Sequence, residues 1–241
     1  MSNVLTIAGR DLGAYFRTQS GYVIFALVLL IDGLLFNAFA LGEPDRRSSE
    51  VLAKFFYFSS GTTMIASVLI SMRLLAEEKQ TGTIVLLTSS PLRDRDIVLG
   101  KYLSGLTFMA IITLATVYMP LLILVHGKIS WGHLAAGYLG LLLLGSATLA
   151  LGTLGSALAR TQVLAAIISG VLVVLLLTCW LLTRVTDYPM NEVVLELALY
   201  HRHFPSFTMG LIRLADLLYY AMVSYVALFL AIRALEARRW R

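Results

Sequence analysis

The stretch VLAAIISGVLVVLLLTCWLL, residues 163–182, decides the fold: twenty consecutive positions carry no charge, and no polar/apolar alternation breaks the run. A hydrocarbon core of roughly 30 Å takes about 20 helical residues, so this run has the length of one transmembrane helix. Lipid offers the backbone no hydrogen-bond partner, which leaves helices and closed barrels as spanning structures, and barrel strands would need strict alternation. The same ruler fits the chain six times: Tyr22 to Leu41, Phe55 to Met72, Tyr102 to Val125, Leu134 to Ala159, Val163 to Leu182 and Leu217 to Ile232. Composition agrees, since the 241 residues are 59% hydrophobic and only 14% charged, more apolar surface than a soluble core of this length buries.

Working outward, Val4 to Phe16 sets Val4, Leu5, Ile7, Leu12 and Phe16 among Arg10, Asp11 and Arg17, a pattern suited to an amphipathic helix on the membrane surface. The first span has full length and lacks a cleavage signature, so it is expected to be retained. Polar connections fall at 42–54, 73–101, 126–133, 160–162 and 183–216. With the N-terminus in the cytosol, twelve Lys and Arg lie inside and seven outside, which by the positive-inside rule predicts cytosolic termini. The net charge of +5 then follows from topology and anionic lipid, and no basic groove with interleaved aromatics suggests nucleic acid. Cys179 is the only cysteine, so no internal disulfide can form. No repeat or linker divides residues 1–241, which read as one membrane domain.

The most informative connection is RLLAEEKQTGTIVLLTSSPLRDRDIVLGK, residues 73–101. Span two can continue through Glu77 and Glu78 until Gly82 breaks it. Thr83 can then cap a short amphipathic helix with Ile84, Leu86 and Leu87 before Ser90 and Pro91, and Asp94 can start span three. An apolar-faced helix held at the mouth of two spans can receive a push from a soluble partner; the alternative is a loop on the membrane surface. Within span two, Ser60, Thr63, Ser67 and Ser71 share one helical face, either lining a pathway or dimer interface or hydrogen-bonding across helices. Asp32 lies near the middle of span one, where a carboxylate costs roughly 2.5–3.5 kcal/mol to insert. It is expected to face protein or water, as a structural carboxylate or in transport or proton binding. Small residues in span four, Gly145, Ser146, Ala150, Gly152, Ser156 and Ala159, predict close helix packing.

The 73–101 segment resembles the cytosolic coupling motif of type-2 ABC exporter permeases through Glu77, Gly82, Thr83, Leu86, Leu87 and Pro91. The run HFPSFTMGLIRLADLLYYAMVSYVALFLAIRALEARRW, residues 203–240, is similar to the end of the gliding-associated GldF permease subfamily. Phe204, Phe207, Gly210, Asp216, Tyr219, Tyr220 and Arg239-Trp240 carry that likeness, with Met209 where the subfamily usually has arginine. The resemblance implies an all-α half-transporter in a bacterial inner membrane: an N-terminal surface helix, six spans, a coupling helix after span two and short outer helices before span six. It further implies separate ATPase subunits that bind ATP and Mg, a second permease of the same or a different chain, and possible auxiliary membrane subunits. The 183–216 segment suits the outer helices, since Asn191 to Tyr200 sets Val193, Val194, Leu197 and Leu199 beside Glu192 and Glu196.

Other chemistries find little support. No GxxxxGK[ST] loop occurs, because Gly100-Lys101 is followed by Tyr102 and Arg95 takes the first glycine's place, so this chain is not expected to bind ATP or any cofactor itself. Leu103-Ser104-Gly105 resembles an ATPase signature but runs into a span. His126, His133, His201 and His203 form loose pairs without a defined ligand geometry, and the eight methionines read as packing. Glu77-Glu78 is not followed by arginine at the EExxxR spacing, and no predicted span contains histidine, so a membrane enzyme is disfavoured. The expected function is therefore the permease subunit of an ATP-driven exporter, with a non-transporting assembly or scaffold subunit, including a copper-site maturation role, as the alternative.

Overall fold

A computed structural model describes residues 3–40, 48–83, 92–125, 130–183 and 190–239. Helix α1 (Asn3–Arg17) turns sharply into α2 (Gln19–Leu35), which ends in a wider π-helical turn over Phe36–Ala40. Helix α3 (Ser48–Leu74) bends at Leu75 into the short α4 (Ala76–Gln80). Helix α5 (Asp94–Ala115) breaks before α6 (Tyr118–Leu121) and a 3-10 turn at Leu122–Val125. Helices α7 (Trp131–Leu158) and α8 (Gln162–Leu182) follow, then the short α9 (Met190–Glu196) and α10 (Phe204–Thr208), and finally α11 (Leu214–Arg239). Among the described residues there is no strand, and six helical stretches are long and apolar enough to cross a membrane: Gln19–Phe39, Ser48–Gln80, Asp94–Leu121, Trp131–Leu158, Gln162–Leu182 and Leu214–Ala237.

Several helices outrun the apolar ruler. Helix α3 begins at Ser48 rather than Phe55 and α11 extends from Leu214 to Arg239, while α5 begins at Asp94, the start expected for its helix, ahead of the apolar run from Tyr102. The reason is physical: apolar length measures bilayer thickness, whereas the backbone ladder continues wherever its own hydrogen bonds close. Span three is shorter as an unbroken helix than its hydropathy suggests. Pro120 lacks an N–H and its ring crowds the carbonyl four residues back, at Thr116, where the chain turns through Thr116–Val117. The freed Thr116 carbonyl accepts the Met119 N–H at 3.0 Å. The outer helical segment is also shorter than Asn191 to Tyr200: α9 stops at Glu196, and the Leu199 N–H crosses to the Leu176 carbonyl of α8 at 3.1 Å.

Helix α7 is the hub, packed by α3, α5, α8, α10 and α11. Its small residues allow this. A Cβ added to Gly152 would lie 2.1 Å from Ser71 Oγ, so the backbones of α3 and α7 approach only because that side chain is absent. Gly152→Val should therefore destabilise the chain by about 1–3 kcal/mol through overpacking, read as a lowered melting midpoint of the detergent-purified protein; an unchanged midpoint would contradict this contact. The main core runs through Phe55, Phe56, Phe108, Leu144 and Tyr220. A second cluster of Ile7, Leu75, Ile97, Val98, Ala157, Ala231 and Leu235 gathers four helices, α1, α5, α7 and α11, and the α3–α4 bend at the end of the bundle carrying both termini.

Candidate functional site: the α4 junction

Directly on that second cluster sits α4, and its five residues are tied to four neighbouring helices, α3, α5, α7 and α8. Ser156 of α7 places its hydroxyl where it accepts the Leu75 and Ala76 N–H groups at 3.0 and 2.9 Å, capping the new helix after the bend. Glu77 takes a two-point contact from the Arg73 guanidinium, Nε–Oε2 2.8 Å and Nη2–Oε1 3.1 Å, and Arg73 also donates to the Ser20 hydroxyl of α2. Glu78 meets Lys101 Nζ of α5 at 2.7 Å, and the same ammonium reaches Asp11 of α1 at 2.9 Å. Lys79 turns the other way and donates to the Ser156, Ala157 and Ala159 carbonyls at 3.1, 2.5 and 3.2 Å, satisfying the open C-terminal carbonyls of α7. Gln80 accepts the Gln162 N–H at 3.1 Å at the start of α8.

Lys101 is the electrostatic centre, with its side chain only 5% exposed between two carboxylates. A buried ammonium is tolerated when paired, and Asp11 and Glu78 do the pairing. Arg10 adds an outer contact to Glu78 at 3.7 Å. Between α1, α4 and α5 lies an open cavity of about 260 Å³ lined by Asp11, Tyr15, Arg73, Glu77, Glu78 and Lys101. Tyr15 stacks on Phe108 at 4.6 Å, and burial pushes its hydroxyl well above the usual phenol range, so it stays neutral at the cavity's inner edge.

The chain leaves α4 at Thr81, whose hydroxyl donates to the Glu77 carbonyl at 2.9 Å, and reverses at Gly82, where φ of +76° suits a residue without a Cβ. Thr83 and Thr81 hydroxyls are 2.9 Å apart. Of the coupling residues read from the sequence, Glu77, Glu78, Gly82 and Thr83 are thus brought together, while Leu86, Leu87 and Pro91, with the amphipathic helix expected around them, lie outside the described residues. The two glutamates point back into the chain and engage its own cations. Sequence reasoning gave Lys101, Lys79 and Ser156 no part in this junction, reading Ser156 only as a packing residue of span four. The available signal was Lys101 sharing a helical face with Asp94, Ile97 and Val98, all of which are buried.

The span-two seam is also turned inward. Ser60, Thr63, Ser67 and Ser71 are buried, and all four donate to carbonyls of the preceding turn in α3: Ser60 to Tyr57 at 2.6 Å, Thr63 to Ser59 at 2.7 Å, Ser67 to Thr63 at 2.7 Å and Ser71 to Val68 at 2.9 Å. The Thr148 hydroxyl of α7 donates to Ser67 Oγ at 2.8 Å, so within this chain the seam serves contact between α3 and α7. Asp32 is buried on α2 and accepts the Thr62 hydroxyl at 2.5 Å, facing protein as its chemistry requires. A void of about 10 Å³ beside it, bordered by Ser59, Thr63, Thr113 and Thr116, is the size of about one water.

At the opposite end, His203 is 3% exposed and is held on both ring nitrogens: Nδ1 lies 2.9 Å from Asp216 Oδ1 and Nε2 lies 3.1 Å from the Glu196 carbonyl. Its ring stacks on Tyr219 at 3.8 Å. Ser206 donates to the other Asp216 oxygen, so the hydroxyl bonds the carboxylate rather than the imidazole and no nucleophile–base pair is formed. His133 Nε2 is 2.7 Å from the Thr208 carbonyl and His201 stacks on Trp180, while His126 lies outside the described residues. Among the described residues, no group of three or more His, Cys, Asp or Glu could hold a metal ion. Phe204, Phe207 and Tyr220 are fully buried beside this network, which fastens the outer helices to the start of α11.

Six apolar helices of spanning length, with α7 as the hub among them and an ion-paired junction at the end bearing both termini, have the architecture of a multi-pass membrane protein. The sequence profile of the ABC-2 family transporter proteins matches residues 5–196, about four-fifths of the chain, and the protein belongs to that family as a permease subunit of an ABC transporter. Members of the family usually work with ATPase subunits. No curated protein matches the chain.

Proposed function

We propose that this chain is the membrane half of an ABC exporter, that it docks a separate ATPase through the segment from Glu77 to Pro91, and that docking drives alternating access by helix rocking. The chain itself binds no ATP, which with Mg belongs to the partner. It pairs with a second permease in a bacterial inner membrane, with both termini cytosolic, and the residues 203–240 align it with the gliding-associated subfamily. One observation carries the reading: α4, which forms the start of the docking segment, is bonded to α3, α5, α7 and α8 and, through Lys101, reaches α1. A push delivered there is passed to most of the bundle at once, because packed helices move as rigid bodies rather than deforming.

Glu77 and Glu78 act in this scheme as positioning residues that hold α4 at the right angle to its partner. The double variant Glu77→Ala/Glu78→Ala should insert normally but lose ATPase co-purification several-fold, or retain the ATPase with hydrolysis no longer linked to substrate movement in the reconstituted complex. Normal complex formation together with normal coupling would overturn the docking assignment.

A further inference from the structure

Helices α8 and α11 both pack on α7 and scarcely on each other, which leaves a trough between them that opens sideways toward the bilayer. Its floor is Leu151 and Leu154 of α7, and its walls include Leu176 of α8 with Val223, Val226 and Ala227 of α11. Its volume is about 560 Å³ and its lining is almost wholly apolar. At the end remote from the termini, Val193 and Glu196 of α9 roof it together with Leu197 just after that helix. Val193 and Leu197 are 59% and 50% exposed, which places an apolar face beside the trough's mouth.

Size decides what this trough can hold. Along α11 it runs from Tyr219 to Leu230, eleven helical steps of about 1.5 Å or roughly 16 Å, about half of a 30 Å hydrocarbon core. A transmembrane helix from another chain would need the full thickness, would meet α9 across its path, and at about 11 Å across would fill roughly 1,500 Å³ over that length. One extended acyl chain of about 12–16 methylenes, at roughly 30 Å³ each (the share a water takes in the liquid), needs about 350–500 Å³. The mouth adds polar chemistry: Glu196 and Arg202 form a half-exposed ion pair at 2.9 Å, one charge of each sign. A zwitterionic head group presents the complementary pair, its ammonium to Glu196 and its phosphate to Arg202.

From this geometry we propose that the α7–α8–α11 trough is a binding site for one phospholipid of the phosphatidylethanolamine type, with an acyl chain along α11 and the head group on Glu196 and Arg202. The site is separate from the α4 junction and does not depend on how the ATPase docks.

The test uses the full chain with p-benzoylphenylalanine in place of Val226, purified through extensive detergent washing and then irradiated. The control carries the same group in place of Val171, which is exposed on α8 and does not line the trough. Bound lipid survives washing where loosely associated lipid exchanges for detergent, so position 226 should yield a phosphatidylethanolamine adduct by mass spectrometry and position 171 a detergent adduct. Adding Glu196→Ala and Arg202→Ala should lower the lipid adduct at 226 several-fold while leaving the melting midpoint within a few degrees. Detergent adducts at both positions would overturn the site. A chain-to-chain product at 226 would assign the trough to a second copy and overturn it equally, and an unchanged yield in the double variant would overturn the head-group assignment.

Discussion

Lys101→Met should destabilise the protein by about 3 kcal/mol and lower its melting midpoint in detergent, because the substitution removes the one ammonium shared by Asp11 and Glu78 and leaves two shielded carboxylates facing each other. Breaking a buried ion pair costs about 3–5 kcal/mol, and the lower end applies here because the Asp11 and Glu78 side chains keep 16% and 18% exposure and can recover some hydration. Arg10 is the internal control. It touches the same glutamate at 3.7 Å from a side chain that is 58% exposed, so Arg10→Ala should cost no more than about 0.5 kcal/mol. Limited proteolysis supplies a second readout: α1 is held to α5 by this contact, and in the Lys101 variant it should be cut faster than the rest of the chain. Equal effects of the two substitutions would show that burial of Lys101 does not matter.

The second large effect is expected at the other end of the bundle. His203→Ala removes a ring that touches Asp216, the Glu196 carbonyl and Tyr219 together, and the loss should be about 3 kcal/mol. Asp216 would keep its Ser206 contact while remaining buried at 5% exposure. Hydrogen exchange should show the consequence locally, with amides of residues 197–213 losing protection while those of α3 and α7 keep theirs. Exchange that rises evenly over the whole chain would instead mean that His203 supports the global fold. Neither substitution should prevent membrane insertion, which depends on the apolar lengths of the spans.

How much of this was legible in the residues differs from element to element. Span five could be read alone because residues 163–182 contain nothing but its own apolar run, and the helix found there, Gln162–Leu182, differs by one residue. The start of α3 was not legible, since Glu50 and Lys54 look like a connection although the helix already runs through them. The reversal at Gly82 was legible because glycine adopts the positive φ that ends a helix there. The pair of glutamates before it was legible as a feature, but not as a pair bound to Arg73 and Lys101. The outer histidines were legible only as loose pairs without a ligand geometry, because spacing is all a sequence displays, and the commitment of His203 to Asp216 thirteen residues further on was not.

The sequence by itself determined that the chain holds six helical stretches of membrane-spanning length and that a break ending at Gly82 separates the second from the third, whereas the earlier bend at Leu75, inside the helix expected to run on through Glu78, was not legible. The stretches and the break are local properties, because in lipid each helix must close its own hydrogen bonds within four residues and each apolar length is measured along the chain. Only the tertiary structure decided which charges meet at the α4 junction. Lys101 lies 90 positions from Asp11 and Lys79 lies 80 from the Ala159 carbonyl. Residue type says only that such charges need partners; the choice of partner was made by helix packing around Gly152 and the small residues of α7, which sets the α7 C-terminus against α4.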